Sequence, residues 1–150
     1  MKLIYRTYLL VFFILFNIQG VFAQNSEDNS LANCEKLLSP GYISSGQEFL
    51  ADLNKNNKAT FYTTFYENTQ YRVAACTDIT GHELIFKVYD TEKNLLFSNV
   101  KHNYIPYWNL TFTSTVNCII ELKIQAKQHI KKPVKLIIGF RNDSKHINSN

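Results

Sequence analysis

Glycine and proline are scarce in this sequence, which has five glycines and three prolines among 150 residues. Aromatic residues are abundant by contrast, with eleven phenylalanines and nine tyrosines. Few backbone breakers, many aromatic and β-branched side chains and a moderate charge are typical of a packed β domain. The same composition excludes an intrinsically disordered chain, which would be poor in aromatic residues.

No apolar run in the sequence is long enough to span a bilayer. The longest, Leu9–Phe16, is about half the roughly 20 residues that a membrane-spanning helix needs. Lys2 and Arg6 precede it, and small side chains follow at the positions that signal peptidase inspects. This order predicts a cleavable signal peptide over 1–23 and a secreted or periplasmic mature protein. Gln24 stands where a lipoprotein would have its cysteine, so we expect no lipid anchor and no membrane span in the mature chain.

Cysteine is also scarce, because the predicted mature part has only Cys34, Cys76 and Cys118. They are too far apart to form a CxxC zinc or redox motif. In an oxidising compartment, three cysteines predict one disulfide and one leftover thiol. The spacing leaves all three pairings open, and we expect the leftover thiol to be buried.

The charge of the chain is weak and not one-sided. The formal net charge is +4, and loss of Lys2 and Arg6 with the signal peptide would leave +2. A nucleic-acid-binding protein would carry a denser basic surface, so we expect no nucleic-acid partner. One group of lysines stands out near the C-terminus: Lys127, Lys131, Lys132 and Lys135. These side chains form either a solvated loop or a surface that attracts an acidic partner or polysaccharide.

Catalytic motifs are missing. The sequence has no Gly-x-Ser-x-Gly elbow and no glycine-rich phosphate-binding loop. The histidines are not spaced as a zinc-binding pair: His82, His102, His129 and His146. We therefore expect a protein that is not an enzyme and that needs no cofactor or metal. A small secreted hydrolase is the alternative from another functional class, since twelve scattered carboxylates could supply a catalytic pair.

Alternation of apolar and polar residues at period two dominates the mature chain. Leu84, Phe86 and Val88, for example, share one face, with Lys87 opposite. The pattern predicts eight strands, over 47–53, 58–66, 69–77, 83–90, 95–98, 107–114, 118–125 and 134–140. It also predicts one or two helical turns over 31–38, chain breaks at 44–46 and 116–117, and a loop over 99–106.

The connections between these strands are too short for βαβ crossovers, so the strands should pair mainly antiparallel. Antiparallel strands with one apolar face each can bury those faces by stacking two sheets. We predict an all-β antiparallel sandwich of jelly-roll type, with a closed barrel as the rival. The organisation would be a signal peptide over 1–23, a polar segment over 24–46, the sandwich over 47–141 and a polar tail over 142–150.

The order of features between Phe61 and Phe140 is similar to that of a known domain type. A strand over 61–65 turns tightly into 71–73, and the strand ending in Val88-Tyr89-Asp90 leads through a turn into 95–97. This pattern resembles the jelly-roll sandwiches of the bacterial pre-peptidase C-terminal and GOLD-like domains, and small secreted bacterial proteins built on one such domain. The resemblance implies a non-catalytic accessory or binding module and names no ligand.

The stretch over 102–109 combines aromatic rings with amide and imidazole groups. Tyr104, Tyr107 and Trp108 could stack on a sugar ring or a peptide, as amphipathic aromatics do at recognition sites. Trp108 shares its parity with Leu110 and Phe112, so the alternative is that these rings close one end of the core. We expect a module that acts by binding or assembly, with an unidentified protein or glycan partner, and these three residues are the candidate ligand site.

Overall fold

The computed structural model describes residues 30–141. The signal peptide predicted over 1–23 and the polar tail predicted over 142–150 lie outside the described residues. The described chain begins with a 3₁₀ helix at Leu31–Leu38, here called the cover helix, and has a second one at Asn99–His102. Its strands are β1 Ile43–Asp52, β2 Lys58–Phe65, β3 Gln70–Thr77, β4 Leu84–Asp90, β5 Leu95–Ser98, β6 Tyr107–Thr111, β7 Val116–Ile124 and β8 Pro133–Arg141.

The strands form two four-stranded sheets in which all pairs are antiparallel. Sheet A has the order β1-β8-β3-β6 and sheet B the order β2-β7-β4-β5. The pairs are nested, because β1 lies beside β8, β2 beside β7, β3 beside β6 and β4 beside β5. This is the strand order of an eight-stranded jelly roll. The predicted antiparallel sandwich is confirmed, and the sheets have open edges instead of closing into a barrel.

The main core lies between the two sheets. Alternating side chains of neighbouring strands point into it, including Val73 of β3, Phe86 of β4 and Leu122 of β7, all fully buried. Strand β8, inside sheet A, is buried on both faces over 136–138, as its apolar composition predicts, whereas β7, inside sheet B, buries alternate residues. Burial of these side chains between two pleated sheets is the main source of stability.

A second, smaller cluster lies on the other side of sheet A. There the cover helix packs Cys34 and Leu38 against Ala74, Cys76 and Ile137. Strand β3 is therefore buried on both faces, and six consecutive residues from Tyr71 to Cys76 are buried. The outer face of sheet A, meaning the side turned away from sheet B, is thus covered at its centre.

Gly139 makes this close approach of the helix possible. A Cβ atom at position 139 would lie 2.9 Å from Cδ2 of Leu38 and 3.1 Å from the carbonyl oxygen of Ile43. A larger residue would have to displace the Leu38 side chain and the backbone at Ile43, so the glycine here serves packing and not a turn.

Strand β1 begins at Ile43 and not at Gln47, because the predicted break at 44–46 is a β-bulge within the strand. Ser45 donates its hydroxyl to the carbonyl oxygen of Ile138 at 2.7 Å, and Gly46 takes up a φ of +74°. The serines and glycine that indicated a break are therefore the residues of the bulge, which needs one residue in a left-handed conformation.

The predicted bend at 116–117 is likewise wrong, since Val116 and Asn117 are the first residues of β7. They pair with Phe65 and Thr64, and Thr64 donates its hydroxyl to Oδ1 of Asn117 at 2.7 Å. This cross-strand side-chain bond extends the ladder through a residue whose type is usually found in turns. The predicted loop over 99–106 contains the second 3₁₀ helix.

None of the helices formed by residues 30–141 has the length and apolar character needed to cross a membrane.

Candidate functional site

The aromatic residues singled out in the sequence do not form one platform. Trp108 of β6 pairs with Val73 and points toward the main core, where its ring stacks on Phe97 with centroids 4.7 Å apart. The exposed His102 lies against the same indole at 4.4 Å. Tyr107, the preceding residue, packs against the cluster on the outer face of sheet A. Successive side chains of a strand point to opposite faces, so these two rings are separated by the sheet.

Tyr107 takes part in the attachment of the cover helix through Arg72. The Arg72 guanidinium lies 4.2 Å from the ring centroid of Tyr42 and 4.5 Å from that of Tyr107. It donates from Nε to Oδ1 of Asn109 at 2.8 Å and from a terminal nitrogen to the carbonyl oxygen of Leu37 at 3.2 Å. Two aromatic faces and carbonyl acceptors satisfy this buried cation. Tyr104, the third candidate, is partly buried and has a φ of +53°.

The three cysteines divide as the sequence requires, with one disulfide and one thiol. The disulfide joins Cys34 of the cover helix to Cys76 of β3. Cys118 of β7 is buried and unbonded. Burial, and secondarily the nearby Asp90 carboxylate, raise the pKa of the Cys118 thiol to about 11. At neutral pH this thiol is protonated and therefore a poor nucleophile and a poor metal ligand.

The histidines lie apart from one another. His82 and His129 are exposed, His102 contacts Trp108, and His146 lies outside the described residues. Residues 30–141 contain no group of three histidine, cysteine, aspartate or glutamate side chains close enough to hold a metal ion. The arrangement therefore offers no metal centre within the part of the chain that the structure describes.

The lysine cluster predicted near the C-terminus is also divided. Lys127, Lys131 and Lys132 are exposed in the loop between β7 and β8. Lys135 lies on β8 and forms an ion pair with Glu48 of β1 across sheet A. Of these four cations, three stay in solvent and one stabilises the pairing of β1 and β8.

The outer face of sheet B differs from that of sheet A because the cover helix does not pack on it. The cover helix contacts β1, β3 and β8, all in sheet A. On sheet B, Tyr62 of β2 is 71% exposed, and Thr60, Asn117 and Lys123 are also exposed. This surface, defined by the outward residues of β2, β7 and β4, is here called the exposed face.

The strand register arranges the exposed face in rows. Tyr62, Ile119 and Tyr89 are direct cross-strand neighbours, and Leu95 of β5 lies next to Tyr89. These four side chains, one from each strand, form a row across the full width of sheet B. Neighbouring strands are about 4.8 Å apart, which places the two tyrosines about 10 Å from each other across Ile119.

Polar and charged rows flank the apolar one. On one side, Thr60, Glu121 and Lys87 are cross-strand neighbours. Lys58 and Lys123 face each other in the row beyond. The Nζ atom of Lys58 lies 2.8 Å from Oε2 of Glu121, and this hydrogen bond and charge contact raise the pKa of Lys58.

On the other side of the apolar row lies the bonded pair of Thr64 and Asn117. A hollow of about 290 Å³ opens beside this pair, and Tyr62, Ile119 and Thr91 contribute to its wall. The tyrosine row is therefore bordered by hydroxyl and amide groups on the side of Thr64 and Asn117. It is bordered by charged groups on the side of Glu121 and Lys87.

A basic groove of about 550 Å³ continues the exposed face beyond the start of β2. Lysines dominate its charged lining: Lys55, Lys58, Lys123 and Lys127, against the single carboxylate Glu121. The volume lies within the range of small-molecule pockets, but the lining is more polar than theirs. The groove is therefore suited to an anion more than to an apolar ligand.

Asn57 holds the wall of this groove in place. It is buried with a φ of +54°, and its amide nitrogen donates to the carbonyl oxygens of Ala126 and Gln128. Its Oδ1 atom accepts from the backbone N–H of Ile130 at 2.8 Å and lies 3.3 Å from Nδ1 of His129. One side chain thus orders the loop over 126–130, so the groove is built by the fold.

Sequence reasoning missed the exposed face because its signal is indirect. In the structure Phe61 and Phe65 lie inside and Tyr62 points outward, but the sequence showed this stretch only as rich in threonine and aromatic residues, and a single exposed ring is unremarkable. The row exists only once β2, β7 and β4 are aligned, and single-sequence patterns do not give the cross-strand register. Asn57 was likewise part of a stretch interpreted only as a turn.

No protein-family model matches this chain, and no curated protein gives a significant match to it.

Proposed function

We propose that this protein is an exported, non-catalytic module that binds a glycan on the exposed face of sheet B. The observation that carries the proposal is the contrast between the two outer faces. One is covered by a disulfide-linked helix, and the other presents a row of rings among hydroxyl, amide and lysine side chains. A large aromatic residue left exposed on a rigid strand, as Tyr62 is on β2, is a common feature of recognition surfaces.

A glycan fits this surface better than a protein partner does. Tyrosine rings can stack on the apolar face of a sugar, and hydroxyl and amide groups such as those of Thr60 and Asn117 can bond its hydroxyls. Protein hot spots are usually well-packed, fully desolvated pockets. The exposed face is broad and polar at its edges instead, and its rings lie on strands that hold them in fixed positions.

The loop residues Tyr104, Tyr107 and Trp108 are the alternative ligand site, and the observations give them less support. Trp108 is stacked on Phe97 and Tyr107 lies against Arg72 on the opposite face of β6. The rings of Tyr107 and Trp108 therefore cannot present one common surface to a ligand. The loop site stays a prediction, and the experiment below tests it with the Tyr104→Ala variant.

The non-catalytic part of the proposal is supported by the state of the candidate reactive groups. The thiol of Cys118 is buried with a pKa near 11, and Asp90, the nearest carboxylate to it, is bonded to Asn94. That bond lowers the pKa of Asp90. Neither group is poised for proton transfer near neutral pH.

Export is supported by the disulfide, because such bonds form and persist outside the reducing cytosol. The resemblance to pre-peptidase C-terminal and GOLD-like domains belongs to the proposal as well. It is supported by the jelly-roll strand order and by the turn that follows Val88-Tyr89-Asp90, and it implies an accessory binding role.

Native gel electrophoresis through gels that contain one polysaccharide each tests the proposal. We expect at least one of hydroxyethylcellulose, xylan, polygalacturonate and alginate to retard the protein. We expect the Tyr62→Ala/Tyr89→Ala variant to lose this retardation and Tyr104→Ala to keep it, since only the former removes the tyrosine rings of the exposed face. Loss in Tyr104→Ala alone would place the site in the loop, and normal migration in every gel would reject a glycan-binding role.

A further inference from the structure

The positive charges of the exposed face are not neutralised by the protein. Its outward residues include Lys58, Lys87 and Lys123 and a single carboxylate, Glu121. Glu121 is engaged by Lys58. Within residues 30–141, neither Lys87 nor Lys123 lies within 4 Å of a carboxylate oxygen. Among the described residues, two cations of the exposed face therefore have no ion-pair partner: Lys87 in the row next to the tyrosines and Lys123 in the row beyond.

The basic groove extends this imbalance beyond the sheet. Lys55 and Lys127 lie on its walls, so four lysines and one glutamate surround the hollow. Lys58 and Lys123 face each other directly across β2 and β7, and Glu121 forms an ion pair with Lys58 only, so the charge of Lys123 stays uncompensated at this end of the face. The buried Asn57 donates to the carbonyl oxygens of Ala126 and Gln128. These bonds hold in place the backbone that carries Lys127.

The spacing of the rows also fits a charged sugar. Side chains two residues apart on one strand are about 7 Å apart, which separates the lysine side of the face from the tyrosine row. That distance is of the size of one pyranose ring with a carboxylate or sulfate substituent. A ring stacked on Tyr89 would bring such a substituent to Lys87, which precedes it by two residues on β4.

We propose that the ligand of the exposed face is a linear anionic polysaccharide, with its sugar rings on Tyr62 and Tyr89 and its acidic groups on Lys87, Lys123 and the basic groove. This inference rests on the proposed function and narrows it to one chemical class. Carboxylate-bearing and sulfate-bearing chains share the chemistry that the lysines recognise. A neutral glycan would leave the two unpaired lysines without a role, and an acidic peptide would leave the row of rings without one.

Two double variants with the same loss of charge test the proposal. Lys87→Gln/Lys123→Gln removes two cations from the exposed face, and Lys131→Gln/Lys132→Gln removes two exposed cations from the loop before β8. The probes are polygalacturonate, heparin and, as the neutral control, hydroxyethylcellulose. Affinity is measured by titration in 50 mM and 200 mM NaCl, and thermal unfolding checks that both variants are folded.

We expect the wild type to bind at least one of the two acidic polymers and to bind it less tightly in the higher salt, because salt screens such contacts. Lys87→Gln/Lys123→Gln should weaken that binding by about tenfold or more, the change for removal of an essential interface contact. Lys131→Gln/Lys132→Gln should stay within about threefold of the wild type. A comparison of the two acidic polymers shows whether carboxylate or sulfate is preferred.

Other outcomes overturn the inference in distinguishable ways. Binding of the neutral polymer alone, lost in Tyr62→Ala/Tyr89→Ala, would reject the anionic ligand and leave the proposed function standing. Equal loss in both lysine variants would show attraction to net charge without a site, and would reject the inference. Failure to bind any of the polymers, charged or neutral, would reject it together with the proposed function.

Discussion

At the scale of single residues, the fold determines what each side chain can do. Trp108 could be assigned to the interior from its parity with Leu110 and Phe112, and it does pack on the main core. Asn57 could not be assigned, because its role depends on carbonyl groups about 70 residues away in the chain. The parity of a side chain is a local property, whereas its hydrogen-bond partners are supplied by the tertiary structure.

Cys118 provides a prediction about pH. Its pKa of about 11 in the folded protein exceeds the ordinary value of 9.0, so the folded state keeps a proton that the unfolded state loses in this range. The resulting stabilisation is complete below about pH 9 and disappears as the pH rises through 11. Two units of pKa correspond to at most about 3 kcal/mol.

The measurement is urea unfolding of the wild type and of Cys118→Ala between pH 8 and 11. Since the variant has no thiol, the difference in unfolding free energy between the two proteins should shrink as the pH rises. A cavity left by the substitution is independent of pH and gives only a constant offset. A difference that stays constant over this range would mean that the thiol ionises at its ordinary pKa.

At the scale of elements, the pattern of the sequence predicted strand identity well and strand ends less well. All eight strands were predicted, since period-two alternation marks each of them. The errors fell at serine, glycine and asparagine positions, as in the bulge at Ser44–Gln47, because these residues serve both turns and irregular strands. The cover helix was predicted at 31–38, but nothing in its sequence indicated which face of which sheet it would cover.

The cover helix should depend on its disulfide. We expect Cys34→Ala/Cys76→Ala to lower the free energy of unfolding by about 2–4 kcal/mol, because a bridge across some forty residues no longer restricts the unfolded chain. Limited proteolysis should also cleave near residues 31–38 in the variant and not in the wild type. Cys118→Ala, which keeps the bridge, is the control for cleavage, and a resistant variant would show that Leu38 and Arg72 hold the helix without it.

At the scale of the whole molecule, the nested strand order makes the two sheets mutually dependent. Each sheet contains strands from both halves of the chain, so neither can form before distant segments meet. The sequence predicted a sandwich because eight half-apolar strands must bury their faces together. It could not give the cross-strand rows of the exposed face, which follow from register and from the pairing of β7 with both β2 and β4.

This dependence predicts a single unfolding transition, as is usual for domains of this size. Trp108 fluorescence reports on sheet A, and the reaction of the Cys118 thiol with a disulfide reagent reports on sheet B. Both should change at the same urea midpoint, because the apolar inner face of each sheet loses its cover when the other sheet opens. Exposure of the thiol at a clearly lower urea concentration than the fluorescence change would show that sheet B opens alone.

The pairing of the first strand with the last has a consequence for how the domain can be presented. Ile43 lies opposite Phe140, so the polypeptide chain enters and leaves the sandwich at the same corner, on an edge of sheet A. Whatever is fused to the start of β1 or to the end of β8 is therefore attached to the sheet that the exposed face does not belong to. An attachment at that corner would leave the exposed face of sheet B uncovered, so a bead, a wall or a larger enzyme could hold the molecule without blocking its tyrosines and lysines.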